Sequence, residues 1–180
     1  MKISKQWLDE FIEGGHELAP EDVARELKMK TVEVEGIEKT GAGLENVVVG
    51  KVVKVDKHPD ADKLNVCLVD VGPSTTAQGT TEQLQIVCGG TNVTEGMKVA
   101  LGKIGAKVKW HGEGEPVELA KTKIRGVASS GMICASDEIG LVEMFPKKEE
   151  REILDLSHLE AAPGTPLADA LHLNDVIFDI

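Results

Sequence analysis

The sequence predicts an α+β protein that is mainly β: a small barrel of short strands set between helical flanks. Two observations carry this. From about Leu44 onward, short apolar runs alternate with turns rich in Gly, Pro, Ser and Thr, the pattern of a small antiparallel barrel. Charge divides the chain at the same places. Residues 40–150 hold 13 basic and 15 acidic groups, a net of −2. Residues 1–39 hold 6 and 10, residues 151–180 hold 1 and 6, and these flanks carry −9 of the total −11. The expected division is a discontinuous helical module, 1–39 with 151–180, enclosing a barrel domain at 40–150.

The elements follow in order. Ser4 is placed to cap a first helix with Trp7, Leu8, Phe11 and Ile12 on one face, and Gly14-Gly15 is placed to end it. A second helix starts at Pro20, a first-turn residue, followed by the acidic Glu21 and Asp22. Leu18 and Val23 are spaced as a hydrophobic staple across that start, although Ala19 is a poor cap. TVEVEGIE alternates as a strand. The barrel strands are NVVVGKVVKV, LNVCLVDV, LQIVC, MKVAL and VELAKTKI. PSTTAQGTTEQ (73–83) is expected as a mobile loop, and HGEGEPV (111–117) as a hairpin-like loop. After Lys147 the chain is expected to turn helical again, with Thr165-Pro166 opening the helix TPLADAL. The last residues, DVIFDI, read as a strand with no closing turn, so the chain is expected to continue past Ile180.

Composition excludes several functions. A net charge of −11 argues against coating nucleic acid by bulk charge. Yet residues 98–125 hold seven basic groups (Lys98, Lys103, Lys107, Lys109, Lys121, Lys123, Arg125) against three acidic ones. A local strip of that kind can bind phosphates on an acidic protein. Aromatics are few: Trp7, Phe11, Trp110, Phe145 and Phe178, with no Tyr. Cys67, Cys88 and Cys134 lie in apolar runs without a CxxC, so they read as buried, reduced thiols of a cytoplasmic protein. MKISKQWLDEF is amphipathic rather than a signal peptide, and no stretch is long enough to span a membrane.

HPDADKLNVCLVDVG (58–72) packs one His and two Asp into five residues. A calcium loop would need oxygen ligands at alternate positions, a central Gly and a later Glu; Leu64 and Val71 stand where ligands are required. Zinc would need His or Cys pairs, and the five His are scattered. A structural turn is the better reading: His58-Pro59 leaves an extended strand, and Asp60 caps a helical turn, ADKL. GxSxG, GxxxxGK and GxGxxG are all absent, and a lone Cys in GMICAS reads as core. No catalytic residue and no metal site is assigned, and a binding module is the stronger class.

HPDADKLNVCLVDVG, QIVCGGTNV and KIRGVASSGMICASDEIGL, in this order and spacing, resemble the tRNA-binding oligonucleotide/oligosaccharide-binding (OB) barrel of bacterial phenylalanyl-tRNA synthetase β subunits. MKISKQWLDEFI, EDVARELKMKTVEVEGIE and GTPLADALHLNDVIFDI resemble the flanks of that barrel in the same subunit, so the similarity spans essentially the whole chain. Three features depart from the family pattern: Ala128 in place of Glu, Lys103-Ile104 in place of Pro-Gly, and a longer loop at 73–83. The resemblance implies an OB barrel inserted into a small winged-helix-like module. It also implies a non-catalytic fragment whose partners are tRNA (phenylalanine tRNA), the α subunit and the remainder of the β subunit. No cofactor is expected here; ATP and Mg belong to the full synthetase.

On that reading HPDADKL is a rim turn. Asp60 and Asp62 hold its backbone beside His58, and Lys63 offers a charge to a phosphate. Lys123 and Arg125 face phosphates, and Ser130 bonds sugar or base edges. Asn92 either holds its own loop or touches RNA. Met132 packs in the barrel, and Trp110 either covers a loop or stacks a base. The alternative function is a packing module of the same subunit with little tRNA affinity of its own.

Overall fold

The computed structural model describes residues 1–13, 17–73 and 80–180. In chain order the elements are β1 (Lys2–Ser4), α1 (Lys5–Asp9), α2 (Pro20–Lys30), β2 (Gly36–Lys39), β3 (Val47–Lys57), β4 (Asn65–Pro73), β5 (Thr81–Cys88), β6 (Lys98–Gly102), β7 (Lys107–Val108), β8 (Val117–Glu118), β9 (Thr122–Ile124), β10 (Val127–Ser129), β11 (Met132–Ile133), α3 (Leu167–Ala170) and β12 (Val176–Asp179). The protein is mostly β with few helices. It divides into two units, Met1–Ala42 with Leu171–Ile180, and Gly43–Ala170.

In the first unit, β12 lies between β1 and β2 in an antiparallel sheet. Ser4 caps α1, its Oγ accepting from the Trp7 N–H at 3.0 Å. The helix stops at Asp9, well short of the expected end at Gly14-Gly15, which lies outside the described residues. Leu8 packs on the core, but Trp7, Phe11 and Ile12 are exposed, with Trp7 and Phe11 edge to face at 5.1 Å. α2 begins at Pro20 as its residues demand; Ala19 makes no side-chain cap, and Glu21 and Asp22 face the helix dipole instead. Val23 is buried while Leu18 is 46% exposed. Of TVEVEGIE only Gly36–Lys39 pairs as strand. The core is Phe178, Val23 and Ala24, with Leu8, Leu27 and Val34 against them.

The second unit is built on one antiparallel sheet in the order β11-β6-β3-β4-β5. Its strands largely follow the period-two rule: Val47 and Val49 of β3, Cys67, Val69 and Val71 of β4, and Ile86 and Cys88 of β5 are buried, while Val52 of β3, three residues past Val49, is buried out of that phase. β3 is long enough to serve two neighbours. Val47–Lys51 pairs with β6, and Lys51–Lys57 pairs with β4, with a bulge at Val53. The sheet curls tightly there, and Gly50 permits it, since a Cβ would lie 2.6 Å from Val69 Cγ1. The outer strands do not end as free edges. β11 pairs with β6, and the residues just before it reach β5: the Ser130 N–H donates to the Gln85 carbonyl at 2.9 Å, and the Val87 N–H to Ser129 Oγ at 3.0 Å. One short segment thus joins both sides of the sheet.

Three expectations change here. VELAKTKI, expected as one strand, is broken into β8 and β9. Thr81–Gln83, expected in a loop, are strand, and residues 74–79 of that loop lie outside the described residues. Residues 151–170, expected to be helical and to belong with the flanks, form an extended strap in the second unit. Its backbone bonds go to distant partners: Leu154 N–H to the Cys134 carbonyl at 3.1 Å, Leu156 N–H to Lys98 at 2.8 Å, and Gly164 N–H to Val49 at 2.8 Å. Ile153, Leu154 and Leu156 are buried by it, and only Leu167–Ala170 is helical. All three cysteines are buried free thiols. Burial pushes Cys134 up to about 12, and the hydrogen bond with Cys88, reinforced by burial, holds Cys67 above the usual thiol range.

Candidate nucleic-acid interface

The turn at 58–64 is fastened by its histidine. His58 is buried; its Nε2–H donates to the Ile124 carbonyl at 3.1 Å and its Nδ1 accepts from the Asp60 N–H at 3.1 Å. Both nitrogens are engaged with backbone, which sets the tautomer. The His58 N–H bonds the Leu64 carbonyl at 3.1 Å and closes the loop, and Leu64 N–H bonds Ala61 at 3.1 Å. ADKL is therefore a turn rather than the expected helical one. The Asp60 and Asp62 side chains are exposed and make no hydrogen bond among the described residues. The imidazole does the holding that the sequence reading gave to the carboxylates.

A hairpin, β9–β10, lies against this turn. Its two central residues, Arg125 and Gly126, have φ of +46° and +85°. A two-residue turn of that hand matches the twist of its strands, and Gly supplies it without cost while Arg125 is strained. Arg125 is nonetheless anchored, its Nη1 donating to the Asp60 carbonyl at 3.1 Å. The base of the hairpin is tied to β5 through Gln85 Nε2, which donates to the Ala128 carbonyl at 2.8 Å, and through Ser129. Ser129, 1% exposed, also donates to the Gly131 carbonyl at 2.9 Å. The sequence gives no sign of this joining role for Ser129, which reads there only as a weak nucleophile candidate without a GxSxG setting. Ser130, its neighbour, is half-buried and contributes its N–H rather than its hydroxyl.

Arg151 completes the arrangement from a segment that charge alone assigned to an acidic flank. Its Nη2 donates to the Lys63 carbonyl at 2.9 Å and also to the Gly89 carbonyl, so it clips the turn to the end of β5. Asn92 closes the next turn. Its amide accepts from the Ile153 N–H at 2.9 Å and donates to the Ile153 carbonyl at 3.0 Å, standing in for a strand partner.

The basic strip is smaller than its seven residues. Lys98 donates to the Leu159 carbonyl, and Lys103 pairs with Glu82 at 3.2 Å. Lys107, Lys109, Lys121, Lys123 and Arg125 are exposed and have no ion pair among the described residues, and the same holds for Lys63. Lys63, Lys123 and Arg125 therefore sit as exposed cations without ion pairs among the described residues, on two turns that His58, Arg125 and Arg151 lock together and that also carry the exposed Asp60 and Asp62. Such a surface offers phosphates fixed positions without the ordering cost of a loose loop.

Beside these turns is a cleft of about 320 Å³. Leu64, Val87, Ile124 and Met132 are among its walls, together with Trp110, which is 51% exposed. Met132 thus lines a surface as well as meeting the sheet. Glu138 lines the cleft half-buried, as Glu152 does, with Glu150 exposed beside them. Burial raises Glu138 above the usual carboxylate range, against the opposing pull of the Ala135 N–H that donates to it at 2.7 Å.

The class of this unit, a nucleic-acid-binding module, is given by its sequence. The family described as "Putative tRNA binding domain" matches residues 47–166, and the chain belongs to that family. Over all 180 residues it is similar to phenylalanine–tRNA ligase beta subunits: 36% identical to that of Bacillus licheniformis, 37% to that of Lactiplantibacillus plantarum and 40% to that of Coxiella burnetii. The chain covers 21%, 21% and 20% of those proteins, so it spans about one fifth of the length of the curated relatives it matches.

Proposed function

We propose that the chain is the accessory tRNA-binding part of a phenylalanine–tRNA ligase β subunit, non-catalytic in itself. The observation that carries this is the coincidence of the family match, residues 47–166, with the unit that bears the locked turns and their unpaired cations. The curled five-stranded sheet, with residues 128–133 bonded to both of its sides, supports an OB barrel as the finer fold. The unit of α1, α2 and the three-stranded sheet takes the place of the winged-helix-like module. Lys63, Lys123 and Arg125 contact phosphates. Asn92 serves its own loop, and Ser130 acts through its backbone.

The tRNA, chiefly that of phenylalanine, is met in the cytoplasm together with the α subunit and the remainder of the β subunit. ATP and Mg act in the full synthetase. Three buried, unpaired thiols fit a reducing compartment.

The test is tRNA binding by fluorescence anisotropy across a salt titration. Affinity on the order of 10⁻⁶ to 10⁻⁴ M that falls linearly in log–log form is expected. Absence of binding at low salt rejects the reading and leaves a packing module.

A further inference from the structure

The cleft beside Trp110 has a composition that phosphate binding does not account for. Its walls are mostly apolar, yet Glu138, Glu150 and Glu152 line it together with Lys147 and Arg151; of the two partly buried acids, Glu152 is taken up by the Lys148 and Glu149 N–H groups, which leaves Glu138. Leu64 and Ile124 line the cleft, and their chain neighbours Lys63, Lys123 and Arg125 are exposed without ion pairs among the described residues. We infer that the cleft takes one unstacked nucleobase of a bound RNA, stacked on the Trp110 indole and presenting an N–H edge to Glu138. The inference rests on the RNA-binding reading above and adds what phosphate contacts cannot supply, a preference among bases.

Three observations carry it. First, Trp110 is held where an indole face stays available. It starts a 3₁₀ turn, Trp110–Gly112, that is strapped to the cleft from both sides: the Lys109 N–H donates to the Glu138 carbonyl at 2.8 Å, and Gly112 packs so closely on Asp137 that a Cβ would lie 2.8 Å from its Cβ. The tryptophan is thus a wall on a fixed support rather than a loose loop residue, and half its surface remains open to a stacking partner.

Second, Glu138 is oriented but not saturated. Oε2 accepts the Ala135 N–H, while Oε1 has no hydrogen-bond partner among the described residues. An ionised carboxylate has room for further donors. Guanine presents two adjacent N–H donors along its pairing edge, so it is the base this acid selects; uracil presents only one. Third, the cleft is large enough for a small planar ligand and lies where Arg151 and His58 lock the flanking turns.

The experiment uses the Trp7→Phe variant, which leaves Trp110 as the remaining tryptophan, and single-stranded RNA oligomers of equal length and charge. One is guanine-containing, one is uridine-only and one is abasic. Trp110 fluorescence reports stacking, and anisotropy reports binding. The inference expects quenching by the guanine oligomer and tighter binding of it than of the abasic one. Trp110→Ala then lowers affinity for the guanine oligomer by about five- to a hundredfold, leaves the abasic oligomer unchanged, and is largely rescued in Trp110→Phe. Glu138→Gln lowers the preference for guanine over uridine with little effect on the abasic oligomer. If all three oligomers bind alike without quenching, the base site is wrong and the phosphate surface stands. If neither the oligomers nor tRNA bind, the functional reading itself fails and the base site falls with it.

Discussion

The two units spend the same kinds of residues in opposite ways. In Gly43–Ala170 most apolar residues are inside: Val52, Cys67, Val69, Ile86, Val99 and Leu101 are fully buried in one cluster, and the exceptions, such as Ile104, Trp110 and Met144, are about half exposed. In Met1–Ala42 with Leu171–Ile180, three residues form the buried core, while Trp7, Phe11, Leu18 and Met29 are 46–77% exposed. The small unit leans on polar fasteners instead. The Ser4 hydroxyl donates to Asp175, whose carboxylate also accepts the Gln6 N–H at 3.0 Å and the Val176 N–H at 2.7 Å. The lesson concerns surface-to-volume ratio: a short segment cannot bury enough to stand on packing alone, so single contacts carry more of its stability.

That contrast can be broken most severely at Phe178. Phe178→Ala removes the one fully buried aromatic of the small unit and is expected to cost about 3–5 kcal/mol. Amide exchange should accelerate throughout β1, β2 and β12 while β3–β6 keep their protection. Uniform loss of protection would show that the units do not open separately. In the large unit, Ile86→Ala is expected to cost about 2–5 kcal/mol in denaturant unfolding. The same substitution is expected to leave the small unit's exchange rates alone.

Smaller effects sharpen the comparison. Ser129→Ala strands the Val87 N–H in a buried site and is expected to cost about 1–3 kcal/mol, with loosening of the β9–β10 hairpin visible as faster exchange at Ile124 and Val127. The smallest concerns acid. Burial alone would raise Asp175, but the Ser4 hydroxyl and the N–H groups of Gln6, Val176 and Lys5 outweigh it and hold the carboxyl below the usual carboxylate range. A depressed folded pKa means stability that is present above the unfolded value and lost as pH falls through the folded one. The small unit should therefore loosen on acidification below the ordinary carboxylate range. Asp175→Asn should flatten that dependence, read as amide exchange against pH.

Much of this fold was legible in the sequence because its signals are local. Alternation marks β3, β4, β5 and β6, Pro20 marks the start of α2, and DVIFDI marks β12. The strap at 151–170 was not legible, because its backbone partners lie on β3, on β6 and at Cys134, and nothing in its own composition announces them. Trp7 and Phe11 show the limit of periodicity: spacing puts them on one face of a helix but says nothing about what that face meets. At the interface, the charges on Lys63, Lys123 and Arg125 could be read directly. The roles of His58, Ser129 and Arg151 could not, since each acts by joining segments that are 40 to 90 residues apart in the chain.

The central claim is that fixed cations on the locked turns meet RNA phosphates. The most direct measurement compares the salt dependence of tRNA binding for the wild type and for Lys63→Ala combined with Lys123→Ala, two exposed side chains that make no hydrogen bond among the described residues. Each lost phosphate contact should lower the log–log slope by about 0.7–0.9, so the double variant should be flatter by about 1.4–1.8 and weaker at low salt. An unchanged slope with unchanged affinity would contradict the assigned surface.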